Sequence, residues 1–172
     1  MSGERKIAWG GVLREVNNKW QILVAERATK SDPLRKGEFV YPGGEKRLLE
    51  SHQRTAERCV LEETGIKAKA EQSSNIFQGY EFKVRNSKIR ATVEANGKIH
   101  IKYPDSGNKY VGKLVRLAPL DANQEPTAQP NTEANNPMYV PMKSLPQLKE
   151  MFTPACQILT TILEDYHLKA LL

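Results

Sequence analysis

"GEKRLLESHQRTAERCVLEETGI", Gly44–Ile66, is the stretch on which the reading of this chain turns. Its second half has the marks of a short helix. Ser51 can cap the start, Ala56 and Val60 make an apolar stripe, and Gly65 supplies a left-handed stop. The last turn breaks the usual charge pattern, because Glu62 and Glu63 stand where the helix dipole is negative. At about 100° per residue, Glu63 shares a sector with Ala56 and Val60, with Cys59 beside it and Glu62 at its edge. A carboxylate directed that way is costly unless it meets a cation. Arg58, four residues before Glu62, can pair with it but is turned away from Glu63. A third acid, Glu50, stands at the helix entrance, and Gly43 and Gly44 ahead of it expose backbone carbonyls and amides. Hard oxygen donors of this kind suit Mg²⁺ or Mn²⁺ better than zinc.

The spacing resembles the Nudix box. From Gly44 the chain runs through five residues to Glu50, through seven more to Arg58, then Cys59, Val60, Leu61, Glu62, Glu63, Thr64, Gly65 and Ile66. Every fixed position of the family pattern is met except the glutamate after the arginine, which here is Cys59. The "AWGGVL" run before the box and "YVPMKSLPQL" after it lie where Nudix domains carry similar runs. The resemblance implies an α/β protein: a Nudix-type α/β/α sandwich with a mixed β-sheet, built as a single domain over residues 1–172. It implies a hydrolase that cleaves the diphosphate linkage of a nucleoside diphosphate joined to another moiety, with Mg²⁺ or Mn²⁺ as cofactor. Carried over position by position, Glu62, Glu63 and the Gly43 carbonyl hold the metal, while Glu50 and Arg58 organise the loop and helix and complete the catalytic set. Water would attack a phosphorus while cations neutralise the charge building on the phosphate oxygens. The family also admits homodimers formed through sheet edges.

Two departures matter. A cysteine at position 59 is short, protonated near neutral pH and a poor ligand for Mg²⁺, and it reads as a small packed residue. The missing base then comes from Glu125 or Glu133 in a long polar loop, or the protein is a catalytically weak or silent Nudix-fold module that binds a nucleotide or RNA. Leu49 stands where glycine is common, which raises the prospect of a different loop backbone there.

The rest of the chain frames this site. With 172 residues, 39% of them hydrophobic and 27% charged, it has the composition of one globular domain and not of a disordered segment. No signal peptide or membrane-spanning run is apparent, so the expectation is a soluble cytoplasmic protein without a membrane partner, its Cys59 and Cys156 reduced. Between Glu81 and Arg116 nine bases face three acids, so the entire net charge of +6 lies in that segment. A local excess of this kind points to an anionic partner, and Arg90 and Lys102 are candidate substrate contacts within it.

"KIAWGGVLREV" and "KWQILVAER" read as an antiparallel pair about an "NNK" turn, and "FVYPGGEKRLLE" as a short strand broken at Pro42, Gly43 and Gly44. A basic hairpin is expected over about residues 86–104. A three-residue loop, Ala95 to Gly97, would pair Val93 with Ile99, Ala91 with Ile101 and Ile89 with Tyr103, keeping apolar residues on one face and setting Arg90 opposite Lys102 on the other. A polar loop at about 120–137 precedes a short strand. The final helix starts with Thr153 as cap and Pro154 in its first turn, and carries an apolar stripe of Ile158, Leu159, Ile162, Leu163 and Tyr166.

Overall fold

Strand-forming residues open the chain, and β1 (Glu4–Val16) and β2 (Lys19–Arg27) pair antiparallel as their sequences require. Asn17 and Asn18 both take left-handed backbone, φ 52° and 63°, which is the mark of a two-residue hairpin turn. The computed structural model describes residues 4–27, 37–71, 80–83, 89–94, 96–104, 106–130, 132 and 134–171, with 80–83 and 166–171 as backbone only. After the first hairpin come β3 (Phe39–Val40), β4 (Gly43–Glu45), α1 (His52–Thr64), β5 (Ala68–Ala70) and β6 (Tyr80–Lys83). They are followed by β7 (Arg90–Val93), β8 (Lys98–Tyr103), β9 (Asn108–Pro119), β10 (Ala134–Pro141), α2 (Leu145–Leu148) and α3 (Pro154–Leu171).

The main sheet runs β10-β2-β1-β9-β8-β7-β6, with β3 added to β2, β4 to β1 and β5 to β9. β1 and β9 are parallel and the other paired strands antiparallel, so the sheet is mixed. Both faces are covered. On one, Ala8, Val12, Val115 and Leu117 pack under Ala56 and Val60 of α1. On the other, Trp9, Leu13, Val93, Ile99 and Ile101 meet Ile158, Leu159, Ile162 and Leu163 of α3, each worth roughly 2 kcal/mol when buried. The result is an α/β/α sandwich. α1 can approach β1 this closely because residue 10 is glycine: a Cβ there would lie 2.6 Å from Val60 Cγ2.

The basic hairpin has the register that separates apolar from charged side chains. Val93 stands opposite Ile99, Ala91 opposite Ile101 and Arg90 opposite Lys102, and Gly97 takes φ 85° at the turn. Residues 86–88 and 95 of that expected hairpin, and the side chain of Tyr166 in the final stripe, lie outside the described residues. Two strand boundaries differ from the sequence reading. Gly43–Glu45, read as a break, is a strand, because β1 supplies pairing partners that outweigh the weak strand preference of glycine. β10 begins at Ala134, inside the expected polar loop, and accommodates the polar stretch with a register shift between Asn135 and Met138 and φ 44° at Asn136.

Candidate active site

The ends of α1 fix where its acids stand. Ser51 Oγ accepts the Arg54 N–H at 3.1 Å, and Gly65, at φ 75°, closes the helix by donating its N–H to the Leu61 carbonyl at 3.0 Å. Glu62 and Glu63 thus occupy the last turn, against β4. On that strand, Gly10 N–H bonds to the Pro42 carbonyl at 2.7 Å and Lys46 N–H to the Lys6 carbonyl at 2.9 Å. Gly43, opposite Trp9, lies between these bonds in a non-hydrogen-bonded pair, so its N–H and carbonyl are directed away from β1. The N–H donates to Glu63 Oε2 at 3.0 Å. Only glycine fits here, since a Cβ would lie 2.7 Å from the Ala8 carbonyl oxygen.

Arg58 ties the helix to the preceding loop. Its Nε donates to Glu50 Oε2 at 2.9 Å and its Nη2 to Glu50 Oε1 at 3.0 Å, a two-pronged pair. The same guanidinium reaches the Glu45 carbonyl at 3.1 Å and Glu62 Oε2 at 3.3 Å. Glu50 also accepts from the Thr55 hydroxyl at 2.7 Å and the Arg47 N–H at 3.2 Å. Arg58 above all, then Thr55, draws the Glu50 carboxyl down to about 2, and Glu50 in turn raises the pKa of Arg58. Arg47 Nη2 stands 3.8 Å from Glu62 Oε1. At Leu49 the backbone is left-handed, φ 65°, so the loop holds a glycine-like turn with a leucine whose side chain is almost wholly exposed.

Among the described residues no three His, Cys, Asp or Glu side chains group into a metal cage. The donors present are two adjacent carboxylates and the outward-facing Gly43 carbonyl. That set fits Mg²⁺ or Mn²⁺, which keep several waters and take further oxygens from substrate phosphates, and it does not suit zinc. Cys59 adds nothing to it: the side chain is buried against Gly44, and burial, then the charge of Glu63, pushes the thiol up to about 11. It stays protonated near neutral pH. We expect Cys59→Glu to raise metal affinity or turnover, by about tenfold or more if the added carboxylate reaches the ion. A metal titration followed by thermal melting checks this, and lower affinity would mean that the thiol fills a space that a carboxylate cannot.

The other expected site residues divide. The loop after β9 docks on the C-terminal end of α1: Leu120 N–H bonds to the Lys67 carbonyl at 2.9 Å, Thr127 N–H to the Thr64 carbonyl at 2.9 Å, and Gln124 Nε2 to the Gly65 carbonyl at 3.3 Å. Glu125 is therefore carried to the end of α1 that holds Glu62 and Glu63, while Glu133 lies outside the described residues. Arg90 and Lys102 are not brought there. Their row stands level with Glu4 of β1, whereas Glu63 is bonded at the level of Trp9, five residues or about 17 Å along the strand.

Arg14 and Tyr139 were missed by the sequence reading. The Arg14 side chain is almost fully buried, lies 3.6 Å over the Tyr139 ring, and bonds to Glu125 Oε1 and the Ala122 carbonyl, both at 3.1 Å, and to Gln21 Oε1 at 2.7 Å. No local signal marks the link to Ala122 and Glu125, because they lie more than a hundred residues from Arg14.

No family model matches the sequence, and no curated protein matches it either. Solved structures do match. A NUDIX hydrolase from Nitrosomonas europaea is 15% identical, with TM-score 0.64 over 97% of this chain and 90% of its own. A C. elegans Ap4A hydrolase is 12% identical, with TM-score 0.62 over 96% of this chain and 97% of its own. A MutT protein from Methanosarcina mazei is 13% identical, with TM-score 0.60 over 96% of each chain. At these identities the likeness is one of fold.

Proposed function

Since the chain has the Nudix fold, we propose that it hydrolyses the diphosphate linkage of a nucleoside diphosphate joined to another moiety, with Mg²⁺ or Mn²⁺. The observation that carries this reading is the Glu63 carboxylate held by the Gly43 N–H at 3.0 Å, beside Glu62, where the helix dipole alone would disfavour both acids. Two adjacent carboxylates beside an outward-facing backbone carbonyl are the kind of oxygen donors that a divalent cation takes. Glu62, Glu63 and the Gly43 carbonyl would hold the ion. Its chemistry, when bound, is to polarise the phosphoryl oxygens and offset the charge that builds on them.

The chain's own groups do the rest. Arg58, fixed by two bonds to Glu50, orients Glu62 and holds the loop that carries Gly43 and Gly44. The proton of the attacking water goes to Glu125. Arg14 holds Oε1 of that carboxylate, and among the described residues Oε2 has no hydrogen-bond partner. A structural relative named as an Ap4A hydrolase puts dinucleoside polyphosphates among the substrates to try first.

The test is a turnover screen with Mg²⁺ or Mn²⁺ against nucleoside triphosphates, dinucleoside polyphosphates, sugar nucleotides and nicotinamide or flavin dinucleotides. Glu125→Gln should lower turnover by roughly 10²-fold, with Glu133→Gln near wild type. The reverse order would move the base to Glu133. No turnover on any substrate would leave a Nudix-fold binding module.

A further inference from the structure

The α1 side of the sheet carries a second feature, away from the paired glutamates. Alternation along β7, β8 and β9 sends Ala91, Val93, Ile99 and Ile101 into the α3-side core and turns Arg90, Lys98, Lys102, Lys109 and Lys113 to the opposite face. Cross-strand register then stacks like charges. Arg90 stands opposite Lys102, Lys102 opposite Lys109, and Lys98 opposite Lys113. Directly opposed like charges destabilise a sheet. Among the described residues none of these five bases forms an ion pair or hydrogen bond through its side chain, although Glu4 stands in register with Lys109. Arg90, Lys102 and Lys109 are exposed.

The patch extends to the first turn of α1, which contains no acid. There the His52 imidazole is held below its ordinary pKa by burial and then by the charges of Lys113, Lys46, Lys98 and Lys6. Lys6 and Lys46 are joined by the bond from Lys46 N–H to the Lys6 carbonyl. Among the described side chains of these strands, the acids on this face are Glu4, level with Lys109, and Glu94, 3.5 Å from His100. His52 is ten residues, or about 15 Å of helix, from Glu62.

We propose that this face binds a single-stranded polynucleotide through its phosphate backbone. The dimensions select the occupant. The two like-charge rows are four residues apart on β8, about 13 Å, which is too far for one diphosphate but within the reach of successive phosphates along a polynucleotide strand. The row Arg90, Lys102, Lys109 spaces its cations about 5 Å apart across three strands. α1 packs on β1, β4, β5 and β9 and stands about 10 Å off the sheet, so the cations line the corner between a helix wall and a sheet floor. A flexible single strand can follow such a corner more closely than a stiff duplex can. Among the described residues of β7, β8 and β9 this face carries no Phe, Tyr or Trp, and its one ring, the His100 imidazole, lies beside Glu94, so recognition rests mainly on phosphates.

The experiment is fluorescence anisotropy on the full chain with a labelled 12-nucleotide single-stranded RNA of mixed sequence, in EDTA so that the hydrolase reading plays no part. With about five phosphates engaged, affinity should fall on the order of 100-fold between 50 and 200 mM salt. The variant Arg90→Gln/Lys102→Gln/Lys109→Gln should flatten the log–log salt slope by about 2. Its melting temperature should match or exceed that of the parent, because like-charge rows have been removed, and this separates lost binding from lost fold. Absence of saturable binding, an unchanged slope in the triple variant, tighter binding of the matching duplex, or displacement by equimolar tripolyphosphate would each overturn the proposal.

Discussion

Glu63→Gln should lower turnover by about 10²–10³-fold on whatever substrate the wild type hydrolyses, with little change in stability. The substitution is nearly isosteric, and the amide oxygen can still accept the Gly43 N–H that now bonds to Glu63 Oε2. It removes a negative charge from a helix C-terminus and from beside Glu62, two changes that each favour the metal-free variant. What it loses is the second carboxylate of a two-carboxylate site. Thermal melting gives an independent readout. Saturating Mg²⁺ or Mn²⁺ should raise the melting temperature of the wild type, since an ion that binds only the folded chain stabilises it, and should do so much less for the variant. Wild-type turnover in the variant would remove Glu63 from the site. A metal-induced shift equal to that of the parent would remove it from the ligand set.

The site was legible in the sequence to the extent that it is local. Ser51, the apolar stripe and Gly65 announce α1 and its length, and spacing alone carries Glu62 and Glu63 into its last turn. The hairpin register could be worked out because one face must be apolar, and Val93 against Ile99 satisfies that. The start of α3 was equally local: Thr153 Oγ1 accepts the Cys156 N–H, and Pro154 opens the helix. Long-range pairing was hidden. β4 has two glycines and no apolar side chain, and becomes a strand only because Lys6 and Gly10 of β1 offer hydrogen bonds. The parallel pairing of β1 with β9 brings Lys6 beside Val111 and thereby joins two basic segments into one patch. The Arg14–Glu125 link spans 111 residues. Its burial is set by tertiary packing that periodicity in either segment cannot report.

Arg58→Met should destabilise the fold by roughly 2–3 kcal/mol at pH 7, somewhat below the loss expected when a fully buried ion pair is broken. Both side chains of the Arg58–Glu50 pair are mostly covered, and removing the guanidinium takes away four of its bonds at once: two to Glu50, one to Glu62 and one to the Glu45 carbonyl. Glu50 would keep the Thr55 hydroxyl and the Arg47 N–H but lose its counter-charge. Glu50→Gln should cost less, and the double variant less than the two single costs together, because each removes the same contact. The pH dependence carries a sign. The folded-state pKa of Glu50 lies at about 2, below the ordinary carboxylate value, so the pair's contribution is present above that ordinary value and fades as pH falls toward 2. The stability gap between wild type and Arg58→Met, measured by urea unfolding, should therefore be widest near pH 7 and narrow progressively below about pH 5. A gap that stays constant from pH 7 to pH 3 would mean that Arg58 stabilises the loop through packing and carbonyl contacts, with Glu50 a bystander.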